Sequence, residues 1–429
     1  MKHTILVVGG GAGGLPLVTR LGRRLGKRGD ADIVLVDACN SHVWKPRFHE
    51  VATGAIDGDL DAVDYRAHAR LNHYRFEPGR LQSVDPDAKQ ITLAQITDDS
   101  GEEILPERTL HYDSLVLAIG SQSNDFGTPG VQEHCYFLDR RDQVERFRER
   151  FLALCMRADY RDKPLHIAIV GAGATGVELA AEIHHAIGIL GLYGHRHLNR
   201  SRLQVDLIEA APRILPPLPE RVAAAAGKRL EQLGVRLHVN TRVKAAEADA
   251  FITADDQRMN ADLLVWAAGV KASPLLNTIP GLSSNRINQL EIRDTLQVKD
   301  RDDIFSIGDC ASLIPPGAER PIPPRAQAAQ QMALHAAKNI ERRLRGEPLK
   351  AFVYRDQGSL VSLSSYSSVG MLMGNLKGGN FFIEGWLARM MYIGLYRMHQ
   401  AALYGWPRTL ILLLAGRFSR LVRPRLKLH

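Results

Sequence analysis

Two glycine-rich turns carry the first recognisable chemistry in the chain. Gly9-x-Gly11-x-x-Gly14 follows the apolar run TILVV, and Asp37 closes a second apolar run 23 residues after Gly14. Gly171-x-Gly173-x-x-Gly176 follows HIAIV, and its acid, Glu209, comes 33 residues after Gly176. In such a turn the first glycine permits the tight bend, the second lets backbone N–H groups approach a pyrophosphate, and the third packs helix on strand. The acid accepts from a ribose hydroxyl. Ala12 and Gly13 in the first turn, and Ala174 and Thr175 in the second, complete the predicted phosphate cradles. A carboxylate at Glu209 favours the free 2′-hydroxyl of NAD over the 2′-phosphate of NADP, although Arg213 nearby leaves dual use open. Two dinucleotides in one chain imply a flavin and a nicotinamide exchanging hydride.

Other side chains stand close to this chemistry. Glu178 lies two residues beyond Gly176, in the first turn of the helix that the second glycine turn opens. The helix dipole alone would favour a carboxylate there; the functional alternative is a group that orients nicotinamide and helps route a proton. In RAQAAQQMALHAAKN (Arg325–Asn339), Gln327 and Gln331 are four apart and share a helix face, while Gln330 points elsewhere. Primary amides give an apolar wall neutral hydrogen-bond donors without the desolvation cost of a buried ion. They could equally cap loops or backbone.

The elements that must position these residues follow from periodicity. Strand, glycine turn, helix, strand occurs in the first forty residues and again about 160 residues later, which predicts two dinucleotide folds. Residues near 75 to 110 alternate apolar and polar positions, predicting an antiparallel insert, and YDSLVLAIGSQ returns to a parallel-type strand. IFSIGDCASLIPP ends a strand at Gly308-Asp309, and a helix follows Pro323 and Pro324. Beyond about Phe352 the pattern becomes β-like, then turns into two aromatic, basic, helical stretches.

Composition narrows the class. A hydrophobic content of 45% over 429 residues is that of a globular chain with two or three domains. The net charge of +8 is not spread evenly. From Gly385 onward there is no acidic residue, and eight basic ones account for the whole excess. That points to a local anionic surface, not to nucleic acid gripped along the molecule. Cys39, Cys135, Cys155 and Cys310 form no close pair, which argues against an iron–sulfur cluster, a zinc site or a redox-active disulfide, so no metal is expected. The apolar strand begins almost at Met1 without a secretory signal, and the expected site of synthesis and residence is the cytoplasm.

With two fingerprints, the AIG and GD strand ends and this tail, the chain resembles the two-dinucleotide-domain flavoproteins, of which glutathione reductase is the familiar member. More specifically it looks like the type II NADH:quinone oxidoreductases, through GAGATGVELA, IGDCA and the helix motif AQ-x-A-x-Q, met by Ala326, Gln327, Ala329 and Gln331. The resemblance implies an α/β fold of two Rossmann-like domains with a C-terminal membrane-associating region. The expected division is FAD-binding 1–160, NADH-binding 161–272, a second FAD-binding part with the quinone-site helix 273–345, and a membrane-anchoring and dimerisation region 346–429.

By the same resemblance, FAD contacts Gly9 to Gly14, Asp37, Ala118, Gly120, Asp309, Ala326 and Gln327. NADH contacts Gly171, Gly173, Ala174, Thr175, Gly176, Glu209, Ala268 and Gly269, with Glu178 beside the flavin. Lys45 and Lys377 are expected near the flavin and quinone end. In HVWKPRFHEVATG, Arg47 and His49 stand where the family would have apolar or aromatic residues. Gln327 and Gln331 are expected to meet the two carbonyl oxygens of a membrane quinone. The implied enzyme is a homodimer lying on anionic lipid at the cytoplasmic face of the inner membrane. It reduces quinone with NADH, without pumping protons. A soluble NAD(P)H-dependent reductase of a small electron-carrier protein is the alternative, although it has no need of an Arg-rich aromatic tail. Disulfide reductases and sulfide:quinone oxidoreductases need cysteines that are missing here, and Cys310 is expected to be a small buried residue.

Overall fold

The computed structural model describes residues 2–59, 62–195, 197–364, 367–373, 380–422 and 426–427. The chain divides into two compact units, Met1–Trp44 with Asp61–Gln122 and Val270–Asp356, and Lys45–Leu60 with Ser123–Gly269 and Gln357–His429.

The first unit is built on a five-stranded parallel sheet in the order Ile304–Ser306, Ser114–Leu117, His3–Val8, Ala31–Asp37, Arg75–Pro78. Its central strands are apolar and buried on both faces, as a parallel sheet requires. Register is what matters for function. Val8 pairs with Val36 and Leu117, and Leu117 with Ser306, so the strands finish together and the chain leaves them at Gly9, Asp37, Ala118 and Ile307. Helix Gly14–Leu21 packs on the glutamine helix, Ala326–Leu344, whose buried face is largely alanine.

The expected antiparallel insert is present as Leu81–Asp85, Gln90–Leu93 and Arg108–His111. It begins later than predicted. Arg75–Pro78 instead runs parallel to Ala31–Asp37, and as an edge strand it tolerates a proline opposite Asp37.

The second unit repeats the plan with a four-stranded parallel sheet, Val235–His238, Leu203–Ile208, Leu165–Val170, Leu263–Trp266. Here too the ends align, Val170 pairing with Ile208 and Trp266. Helix Ala174–Leu192 is apolar nearly all round because neighbours cover it on several sides: helix Glu220–Leu233, the short helix Phe48–Ala52 and strand Gly358–Leu363. Strands Gly358–Leu363, Ser367–Met373 and Asn380–Glu384 form an antiparallel sheet, followed by helices Gly385–Tyr404 and Trp406–Val422.

Candidate functional site

In the first cradle the glycines have separate reasons. Gly9 has φ +102°, and a Cβ there would run into the Ala118 carbonyl; a Cβ on Gly14 would run into the Gly9 carbonyl. At Gly11 nothing lies within 4 Å of where a Cβ would point, so backbone is bare toward open space at the position where a pyrophosphate would approach. Gly13 lies against Ile307 and Ala329, and Gly10, outside the motif, leaves room for the Tyr65 ring.

Asp37 holds this turn from the next strand. Its Oδ2 accepts the Gly10 N–H at 2.6 Å and its Oδ1 the Cys39 N–H at 2.8 Å. Burial pushes the carboxyl above its ordinary value, while those N–H groups and Tyr65 oppose the shift. The second cradle uses the same bracing. Glu209 Oε2 accepts the Ala172 N–H and Oε1 the Ala211 N–H, both at 2.9 Å. Gly171 has φ +101° against Ala267 and Ala268, Gly176 packs on the Gly171 carbonyl, and Gly173 faces open space. Ala174 and Thr175 are exposed in the helix's first turn, as is Gly269 beyond the next strand, and Ala268 accepts from the Asn124 N–H at 3.3 Å. Both cradles thus fit a dinucleotide.

Around the first cradle, Asp309 accepts from the Ser121 hydroxyl at 2.7 Å, and Gly120 has φ +71° with open space at its Cα. Cys310 is fully buried, its thiol pushed up by burial and directed at the Leu117 and Ile307 carbonyls, so its surroundings are those of a core residue. Ala326 opens the glutamine helix, and Ala329 touches the Gly13 and Gly308 turns. The glutamines are engaged within their own unit. Gln327 Nε2 donates to Asp356 at 3.2 Å; Gln331 donates to the Arg355 carbonyl at 2.8 Å and accepts the Arg355 N–H at 3.1 Å. The backbone alternative is therefore realised at Gln331. One amide hydrogen and one oxygen lone pair of that residue remain.

In the second unit, Lys45 pairs with Asp139 at 3.0 Å. Lys377 lies outside the described residues. Glu178 is 6% exposed; its Oε1 accepts the Ser362 N–H at 2.9 Å and its Oε2 lies 3.3 Å from His49 Nδ1. Burial raises its pKa well above the ordinary carboxyl value, Glu50 and Glu182 adding to the shift against the Ser362 hydrogen bond. Arg47 occupies its position by stacking its guanidinium 4.6 Å over the Tyr396 ring and pairing with Glu50 at 2.7 Å. His49 is buried, and burial lowers its pKa to about 4.

Sequence reasoning overlooks two members of this cluster, Glu50 and Glu182, and marks His49 only as a departure from the family's pattern. Glu182 is 3% exposed and is raised to about 8, first by burial and then by Glu50. Its signal is legible in GVELAAEIHH, where Glu178 and Glu182 are four apart on an otherwise apolar helix.

Comparison with known proteins follows this geometry. The family described as Pyridine nucleotide-disulphide oxidoreductase matches residues 3–333. A type II NADH:quinone oxidoreductase of Haemophilus influenzae is 43% identical over an alignment of 446 residues covering 100% of both chains. One from Staphylococcus aureus is 31% identical over 87% of this chain and 90% of its own. Among solved structures, NDH2 from Plasmodium falciparum in complex with NADH shares the fold, with TM-score 0.82 and 18% identity over the whole of both chains. Sulfide:quinone oxidoreductase from Aquifex aeolicus does so with TM-score 0.71 and 18% identity, over 94% of this chain and 92% of its own. Two dinucleotide cradles, a full-length match at this identity and the shared fold agree: the chain belongs to the pyridine nucleotide-disulphide oxidoreductase family and, within it, to the type II NADH:quinone oxidoreductases.

Proposed function

We propose that this chain holds FAD at the carboxyl edge of the first unit's sheet and NADH at that of the second, and that it oxidises NADH and reduces a membrane quinone. The observation that carries the reading is the duplicated cradle: two turns whose second glycine faces open space, each braced by an acid bonded to two backbone N–H groups. Gly9, Gly11, Ala12, Gly13, Gly14 and Asp37 bind one dinucleotide with Ala118, Gly120 and Asp309 beside them. Gly171, Gly173, Ala174, Thr175, Gly176 and Glu209 bind the other with Ala268 and Gly269. Bound flavin supplies the relay, accepting a hydride from NADH and returning both electrons to quinone.

The residues provide the rest. Glu178, buried with its proton favoured, holds and hands on the proton that quinone reduction consumes. The glutamine helix forms a wall of the quinone site, Asp356 and Arg355 fixing its amides while the remaining amide hydrogen of Gln331 donates to a quinone oxygen.

Helices Gly385–Tyr404 and Trp406–Val422 rest on anionic lipid at the cytoplasmic face of the inner membrane, in a homodimer. No helix among the described residues is long and apolar enough to cross a membrane. Trp386 is 75% and Trp406 68% exposed, with Leu410, Ile411 and Phe418 also open and Arg408 and Arg417 between them, the composition of an interfacial helix. A soluble reductase of a carrier protein has no use for that face.

The cradle assignment is tested by two substitutions in the purified full-length chain. Gly11→Val is expected to lose bound FAD. Gly173→Val is expected to keep FAD at one per chain and lose its bleaching by NADH. The reverse pattern would exchange the two sites.

A further inference from the structure

His49 stands between two carboxylates of the second unit. Its Nδ1 is 3.3 Å from Glu178 Oε2, while its Nε2 has no hydrogen-bond partner and lies 3.9 Å from Glu50 Oε1. The ring is 2% exposed, so that bare nitrogen is shut off from solvent as well as unpaired. Buried polar atoms are normally satisfied, and one that is not, set between two acids, calls for a reason.

The surroundings define the charge state. Arg47 and Glu50 come from the ring's own segment, Glu178 and Glu182 from helix Ala174–Leu192, and Tyr392 from helix Gly385–Tyr404, its hydroxyl donating to the Pro46 carbonyl at 3.5 Å. Burial keeps the imidazole neutral at neutral pH. A neutral imidazole has one N–H and one lone pair, on opposite sides of the ring. Glu50 keeps 16% of its side chain exposed and reaches solvent, whereas Glu178 is deeper.

We propose that His49 is a proton relay from Glu50 to Glu178. This rests on the reading of Glu178 as the group that hands on a proton. After Glu178 gives up its proton, its Oε2 takes the hydrogen from His49 Nδ1, the N–H breaking as the O–H forms. Nε2 takes a proton that reaches it from solvent through the Glu50 carboxylate once the 3.9 Å gap closes by about 1 Å. No electrons move and one proton travels inward per turnover; the ring ends as its Nε2–H tautomer and returns to Nδ1–H by gaining a proton at Nδ1 and releasing one from Nε2.

The test uses full-length, flavin-loaded enzyme under nitrogen, with reduction by NADH and reoxidation by a short-chain quinone followed separately. His49→Asn keeps a donor but has no second ring nitrogen, and Glu50→Gln removes the outer acid. Both are expected to reduce within about twofold of the parent rate and to reoxidise about tenfold more slowly, as Glu178→Gln does. In His49→Ala, the infrared band of the protonated Glu178 carboxyl, identified by its loss in Glu178→Gln, is expected to shift; added imidazole should restore band and rate together. Parent-rate reoxidation in His49→Asn and Glu50→Gln, with Glu178→Gln slow, overturns the relay and leaves Glu178 in place. Parent-rate reoxidation in all three overturns both. If His49→Asn does not fold, Glu50→Gln decides by the same criterion.

Discussion

The Ser362 backbone N–H donates to Glu178 Oε1 at 2.9 Å, across 184 residues of sequence. A strand near the C-terminal end thereby holds one oxygen of a carboxyl on the helix that the second glycine turn opens. The other oxygen is left to His49. The C-terminal segment therefore has a structural part in the site, in addition to any part at a membrane.

Glu178 should set the pH dependence of quinone reduction. Its pKa is raised, so below that value it carries a proton to donate, and above it the carboxylate has none. Flavin reoxidation by quinone is expected to slow as pH rises through this titration. In Glu178→Gln the rate should be about tenfold lower and lack that dependence, which rapid-mixing measurements of the two proteins as a function of pH would reveal.

Gln331→Leu should separate the two half-reactions. The substitution removes both bonds to Arg355 and the remaining amide valences, but leaves the cradles intact. NADH is expected to bleach the flavin at the parent rate, with reoxidation by quinone slowed about tenfold. Equal slowing of both steps would make the residue a brace only.

The spacing of glycines and acids made both cradles legible, because a turn, a helix start and a strand end are local. The bracing of Asp37 and Glu209 is local in the same sense. The engagement of Gln331 was not legible: its partner, Arg355, is 24 residues on, in a segment without regular structure. The link of His49 and Glu50 to Glu178 was hidden for another reason. They sit in a short stretch, Lys45–Leu60, that folds with the second unit although it precedes most of it in sequence, so no periodicity connects them to Glu178. Arg47 looked out of place among expected apolar residues because a stacked guanidinium can serve where an aromatic ring would.

His184 should limit stability in acid. It is fully buried, neither ring nitrogen has a hydrogen-bond partner, and burial lowers its pKa to about 4. The unfolded chain binds a proton near pH 6.5 and the folded chain only near 4, so stability is lost as pH falls through that window. His184→Leu is expected to raise the urea midpoint at pH 7.5. At pH 5 it should add a further stabilisation of about 2 kcal/mol. An equal gain at both pH values would contradict the titration.

Membrane attachment is best tested by point substitution. Removing the tail would also remove Leu426, which is buried, and Lys427, which pairs with Asp57 at 2.9 Å. Replacing exposed Leu410, Ile411 and Leu414 by serine should weaken binding to anionic vesicles at least tenfold while NADH still reduces the flavin. Unchanged flotation with vesicles would place the contact elsewhere.

The most direct measurement of the whole account is a two-step anaerobic experiment on the purified chain. NADH is added first and flavin absorbance should bleach; a short-chain quinone is added next and absorbance should return, with one NADH oxidised per quinone reduced. Failure of quinone to restore the oxidised flavin would contradict the central claim, and absence of bleaching by NADH would contradict it at the first step.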